Sequence, residues 1–155
     1  MLKYDETNVN PKHRKTGDCV TRALVGATGA DYWEIYKEQY DLSCESGYNF
    51  DSKQTYEAVL AKHGYVKMAQ PRKANGKKYL VGEVGFVITK EQLDAGVFIT
   101  LANHCTCAVR GGYIKDIWDC RYKTIGNYYV KSTANGSGAK YGSGEAVDSK
   151  RRFII

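Results

Sequence analysis

The chain reads as an α+β fold, with N-terminal helices packed on a C-terminal antiparallel sheet, and three observations lead there. Apolar residues recur at helical spacing between Cys19 and His63. Extended apolar runs dominate from Val97 onward, and Arg110-Gly111-Gly112 divides two of them as a hairpin turn does. At 155 residues the chain suits one domain whose core needs no disulfides.

Met1–Gly17 is polar, with Asn8, Asn10 and Pro11 as turn formers, and is expected to be an irregular lead-in. Over Cys19–Ala27, the residues Val20, Ala23, Leu24 and Ala27 fall on one helical stripe. Asp31 is placed to cap a second helix, Asp31–Tyr40, lined by Tyr32, Ile35, Tyr36 and Gln39, and Leu42–Asn49 reads as loop. Asp51 or Ser52 caps a third helix, Ser52–His63, with Tyr56, Val59 and Leu60 inward and Gly64 at its end. Thr89-Lys90-Glu91-Gln92 forms a capping box that opens a short helix, which Gly96 closes.

Strands are expected at Tyr65–Met68, Val97–Ala102, His104–Val109, Tyr113–Trp118 and Asn127–Lys131, with Lys78–Val81 a weaker candidate. Residues 1–131 make up the domain. Ser132–Gly144 is Gly/Ser-rich and leads to the basic, apolar end Arg151–Ile155, so 132–155 reads as a mobile segment.

Charge and composition exclude several classes. The net charge of +6 is spread out, and its densest clusters, Lys12–Lys15 and Lys150–Arg152, are too short to form a nucleic-acid-binding stripe. The apolar run Gly96–Ala102 falls far short of the roughly 18 residues that a membrane span needs. MLKYDETNVN lacks the apolar region of an export signal, and five Cys, an odd number, fit free thiols in a reducing compartment. The expected location is the cytoplasm. No cofactor is called for, and the oligomeric state is left open.

Chemistry concentrates in three places. Cys19 follows Gly17-Asp18 where a loop becomes a helix, and the first turn of a helix stabilises a thiolate through its free N–H groups and dipole. His104 opens a strand. If Arg110-Gly111-Gly112 is a three-residue loop closed by Val109 and Tyr113, His104 faces Trp118 and Asp116 is its diagonal neighbour, about 7–8 Å away at Cα. Asp116 then orients the imidazole and Trp118 shields the bond between them. A two-residue turn would instead bring Asp119 opposite His104, so register decides between the two acids, and Asp119 stands in reserve.

A Cys heading the first long helix, a His on a strand, and an Asp or Asn followed two residues later by Trp together resemble papain-like cysteine peptidases. Asp116-Ile117-Trp118 resembles their Asn-Ser-Trp. The order of elements is also similar to that of bacteriocin-leader peptidase domains. The stretch from GDCVTRAL to HCTCAVRGGYIKDIWD resembles small proteins of phages and low-GC bacteria, for which the cytoplasm would be the host's. The resemblance spans roughly residues 8–131 and implies a papain-like fold with Cys19 as nucleophile, His104 as general base and acid, and Asp116 as orienting residue. It further implies cleavage of an amide bond in a peptide or protein substrate.

Two departures stand out. Papain-type enzymes place an oxyanion Gln about six residues before the nucleophile, whereas this chain has His13 there, leaving Asn10 (or Asn8) as the candidate oxyanion donor. Val20-Thr21-Arg22 replaces their Gly-rich, Trp-containing flank, and Arg22 is placed to pair with Asp18 or another acid.

The same machinery serves acyl transfer or deamidation. A non-catalytic binding module on the same fold, such as a phage-encoded antagonist of a host protein, is the competing function. A metal site built on His104, Cys105, Cys107 and Cys120 is disfavoured, because Cys105 and Cys107 point away from His104 on a strand and lack zinc-ribbon spacing. Those two thiols read as core, and Cys44 as incidental. His63 and His13 have no strand-borne acid beside them. Tyr128 and Tyr129, with Tyr32, Trp33 and Tyr36, fit either core packing or a binding groove.

Overall fold

Val97–Leu101 runs through the middle of a six-stranded sheet, and its side chains alternate between two separate apolar layers. The computed structural model describes residues 1–134 and 136–142. In chain order these form β1 (Lys3–Glu6), α1 (Cys19–Thr28), α2 (Tyr32–Ser46), α3 (Lys53–Lys62), β2 (Tyr65–Met68), a 3-10 segment (Val81–Phe86) and α4 (Lys90–Ala95). Four strands complete the set: β3 (Val97–Leu101), β4 (His104–Val109), β5 (Tyr113–Asp116) and β6 (Tyr128–Lys131). The architecture is mixed α+β, with strand order β1-β5-β4-β3-β6-β2.

One layer packs α1, α2 and α3 against the sheet through Leu24, Ile35, Val59, Leu60, Phe98 and Cys107. The other holds Val81, Val84, Ile88, Leu93, Ile99, Ile114 and Ile125 beneath the 3-10 segment and α4. This division explains why β3 reads as a continuous apolar run: Val97, Phe98 and Ile99 are all fully buried, on alternate faces. α1 lies directly on β4. A methyl group added at Gly26 would come within 2.3 Å of Cys107 Sγ, so only glycine permits that approach. Buried Gln39 ties α1 to α2, accepting from Thr21 Oγ1 at 2.7 Å and donating to the Phe50 carbonyl at 3.3 Å.

The caps form as the sequence predicts. Asp31 accepts from the N–H groups of Trp33 and Glu34, Ser52 accepts from Thr55 N–H, and Thr89 and Gln92 make the reciprocal capping box. The hairpin also keeps the three-residue register, with Val109 paired to Tyr113 and Ala108 to Ile114.

Four expectations are corrected. The lead-in contains a strand, β1, which pairs in parallel with β5, so the sheet is not wholly antiparallel. Its alternation is weak because Lys3, Asp5 and Glu6 are exposed. α2 continues through the expected loop to Ser46, because nothing breaks a helix before Gly47, which takes φ 81° and donates to the Ser43 carbonyl. Lys78–Val81 forms only isolated bridges, from Lys78 to Arg72 and from Leu80 to Thr124, before the 3-10 segment begins. Finally, the expected mobile segment docks at its described end: Tyr141 N–H donates to the Ile88 carbonyl at 2.8 Å, and its ring packs on the second apolar layer. The stretch 143–155, with Lys150–Arg152 and Arg151–Ile155, lies outside the described residues.

Candidate functional site

The site forms where the start of α1 meets the start of β4. Cys19 is the first helical residue after the Asp18 cap position, and the first main-chain bond of α1 runs from Arg22 N–H to the Asp18 carbonyl. The amides of Cys19, Val20 and Thr21 precede that bond, so this end of the helix is the positive one. Cys19, His104, Thr100, Asn103, Asp51 and Tyr56 line one cleft of about 290 Å³. A two-residue turn after Leu101, with Asn103 at φ 57°, delivers His104 to the cleft rim.

His104 and Asp116 are joined by a 2.6 Å bond between Nε2 and Oδ2. The hairpin register is the cause. It sets Asp116 across from Thr106 and diagonal to His104, the geometry expected of a three-residue turn. With Nε2 engaged, Nδ1 is the ring nitrogen left for the Cys19 thiol. The Trp118 ring stands at 82° to the imidazole with centroids 4.9 Å apart, and it remains 41% exposed on its outer side.

The other oxygen of Asp116 accepts from Arg22 Nη1 at 2.8 Å and from the Ile117 N–H at 2.7 Å. Arg22 Nε in turn donates to Asp18 Oδ1 at 2.8 Å. Asp18 Oδ2 then accepts from the Tyr32 hydroxyl at 2.8 Å and from the Asn10 amide at 3.0 Å. A hydrogen-bonded chain therefore runs from Asp18 through Arg22 and Asp116 to His104, which shares its cleft with Cys19. The Asp116 side chain is 2% exposed and that of Arg22 6%, so water screens their attraction very little.

The charges along this chain bias each proton. Burial disfavours the protonated ring of His104, but Asp116 overrides it, with help from Cys120 and Cys19, and the imidazolium is pushed up to about 11. Burial alone would raise the Cys19 thiol. The neighbouring His104 ring and Cys105 backbone, with the charges of His104 and Arg22, outweigh it and leave the thiol below its ordinary value. Burial likewise opposes ionisation of Asp116, but the bond and charge of His104, together with Thr106 and Arg22, hold its carboxyl low. The Thr106 hydroxyl is buried and makes no hydrogen bond of ordinary length. Cys107 shows the contrast: burial pushes its thiol up to about 12.

Cys19, His104, Asp116 and Trp118 thus come together. Two other candidates do not. Asp119 is turned away and binds Arg121 in a bidentate pair at 2.8 and 2.9 Å, because the three-residue turn points it off the His104 face. The Asn10 amide is turned away from the Cys19 cleft lining: its hydrogens go to Asp18 and Tyr32, and its oxygen accepts from Lys12 N–H. It positions Asp18 instead. Asn8 donates to the Arg14 carbonyl.

His63 pairs with Glu38 at 2.8 Å, and exposed His13 lies in its basic turn. Cys105 and Cys107 are buried against α1, and Tyr128 and Tyr129 are buried in the sheet, apart from Tyr32, Trp33 and Tyr36.

Two contacts of the network escape sequence reading. Arg22 announces its bond to Asp18 by the i, i+4 spacing, but its reach to Asp116 spans 94 residues and has no local signal. Tyr4 donates to the Asp116 carbonyl at 3.0 Å, a contact that follows from the unforeseen β1.

His104, Asp116 and Cys120 also bring ligand-type atoms within 4.8 Å of one another. Arg22 already holds one Asp116 oxygen, so a further cation there would sit against a guanidinium. The arrangement suits a hydrogen-bonded charge chain better than a metal ion. Among the described residues, no helix is long and apolar enough to cross a membrane. Compared with family models, with curated proteins and with solved structures, the chain finds no match.

Proposed function

We propose that this protein is a thiol-dependent hydrolase of papain-like type that cleaves an amide bond in a peptide or protein. The observation that carries the reading is the held imidazole: His104 is fixed by buried Asp116 on one nitrogen and lines the same cleft as the Cys19 thiol, which stands at the positive end of a helix.

The chemistry follows from that arrangement. Cys19 stands as thiolate beside imidazolium and attacks the substrate carbonyl carbon. The oxygen becomes an oxyanion, for which the Cys19 N–H and the start of α1 are the nearby donors. His104 gives its proton to the departing amine as the C–N bond breaks, and a thioester remains. Water, deprotonated by His104, then displaces the sulfur and releases the acid. Asp116 keeps the ring in one orientation and its charge favours the protonated state.

Incubating the protein with denatured bacterial proteins and counting new N-termini by mass spectrometry tests this reading. The expected outcome is a set of new termini that disappears with both Cys19→Ala and His104→Ala. Equal yields from wild type and Cys19→Ala, or none from wild type, would rule the hydrolase reading out.

A further inference from the structure

We infer that a second cavity beside the Cys19 cleft seats the part of the substrate flanking the scissile bond, and that it selects a peptide segment carrying an aromatic residue next to acidic ones. This inference rests on the proposed function and adds a substrate class to it. The cavity, about 390 Å³, lies between the basic lead-in loop and one face of α2. Val20 and Asp51 line both it and the cleft that holds Cys19 and His104, so the two form one continuous surface.

Its walls differ in character. On the α2 side stand Trp33, 47% exposed, and Tyr36, 41% exposed, with Phe50 beside them. These rings brace one another, Trp33 to Tyr36 at 5.5 Å and Tyr36 to Phe50 at 4.7 Å between centroids, so they offer a preset apolar wall. On the facing side are exposed Lys12 and Arg14.

The acids nearby fix the direction of the charge preference. Asp18 is already satisfied by Arg22, Tyr32 and Asn10. Asp51 lies on the ridge shared with the cleft. Acidic residues of a bound peptide are therefore placed at the far end, against Lys12 and Arg14, and an aromatic side chain lies against Trp33 and Tyr36.

Aromatic and basic residues together also suit single-stranded nucleic acid. The exposed Trp33 and Tyr36 rings meet at 65°, which gives successive bases no parallel series of faces. The continuity with a thiol–imidazole cleft, whose chemistry acts on carbonyl carbon, favours a peptide.

The test measures binding with the Cys19→Ser chain, which cannot turn over through a thiolate. Four fluorescein-labelled probes are compared by anisotropy: Gly/Ser dodecapeptides with a central Glu-Phe-Glu, Lys-Phe-Lys or Glu-Gly-Glu, and oligo(dT) of twelve nucleotides. The Glu-Phe-Glu peptide is expected to bind at least about tenfold more tightly than the other three. Trp33→Ala and the pair Lys12→Glu, Arg14→Glu should each remove most of that preference, while Tyr40→Ala, on α2 outside the cavity, leaves it intact. Equal binding of the three peptides, tighter binding of the oligonucleotide, or indifference to both groove variants would overturn the inference. Because the readout is binding without turnover, a selective groove with no new termini from wild type condemns the hydrolase reading alone. New termini without peptide selectivity condemn only the groove.

Discussion

Replacing Arg22 with alanine is expected to cost about 3 kcal/mol of folding stability, the lower end of the range for removing one partner of a buried ion pair. The side chain bridges Asp18 and Asp116, both at 2.8 Å, and sits almost wholly out of water. Without it, Asp116 keeps a buried negative charge answered by His104, the Ile117 N–H and the weakly donating Cys120 thiol, with no second cation fixed to it among the described residues. Urea unfolding checks this. The paired variant Arg22→Ala, Asp116→Asn should lose less than the two single losses summed, since neutralising the acid removes the stranded charge. A loss below about 0.5 kcal/mol for Arg22→Ala, the scale of a surface change, would mean that the network does not hold the fold together.

The second large effect falls on the reactivity of Cys19. Asp116→Asn keeps the shape of the side chain but removes its charge, so His104 should release its proton more readily and Cys19 should hold its own more tightly. Each pH unit by which the thiol's midpoint moves up is a tenfold loss of thiolate on the acid side. Alkylation of Cys19 by iodoacetamide at pH 5 should therefore fall at least about tenfold in this variant.

Linkage gives a matching stability signature. The folded His104 value of about 11 lies above the unfolded value of roughly 6.5, so its contribution is complete below the latter and is lost as pH rises through the former. Asp116 acts oppositely. Its folded value is depressed, so its contribution is present above the unfolded carboxylate value of about 3.9 and is lost on acidification.

Much of this site was legible in the sequence because its determinants are local. Cys19 at a helix start, the Arg110-Gly111-Gly112 turn and the two-residue periodicity of a strand together set Asp116, rather than Asp119, beside His104. The helix caps at Asp31, Ser52 and Thr89 were legible for the same reason.

What stayed hidden depends on distant segments. β1 is a strand because β5 offers it an edge, a fact that four mostly exposed residues do not advertise. Asn10 looked like a free amide until Asp18 and Tyr32, brought close by folding, took up its hydrogens. α2 ran on past Tyr40 because polar residues on a solvent-facing helix resemble those of a loop, and only Gly47 marks the end.

The central claim is that Cys19 and His104 form a thiolate–imidazolium pair held in place by Asp116. The rate of iodoacetamide modification at Cys19, followed by mass spectrometry from pH 4 to 10 with exposed Cys44 in the same molecule as reference, measures it most directly. At pH 5 Cys19 should react at least about tenfold faster than Cys44, an advantage that His104→Ala abolishes. Equal rates at the two cysteines across the acid range would contradict it.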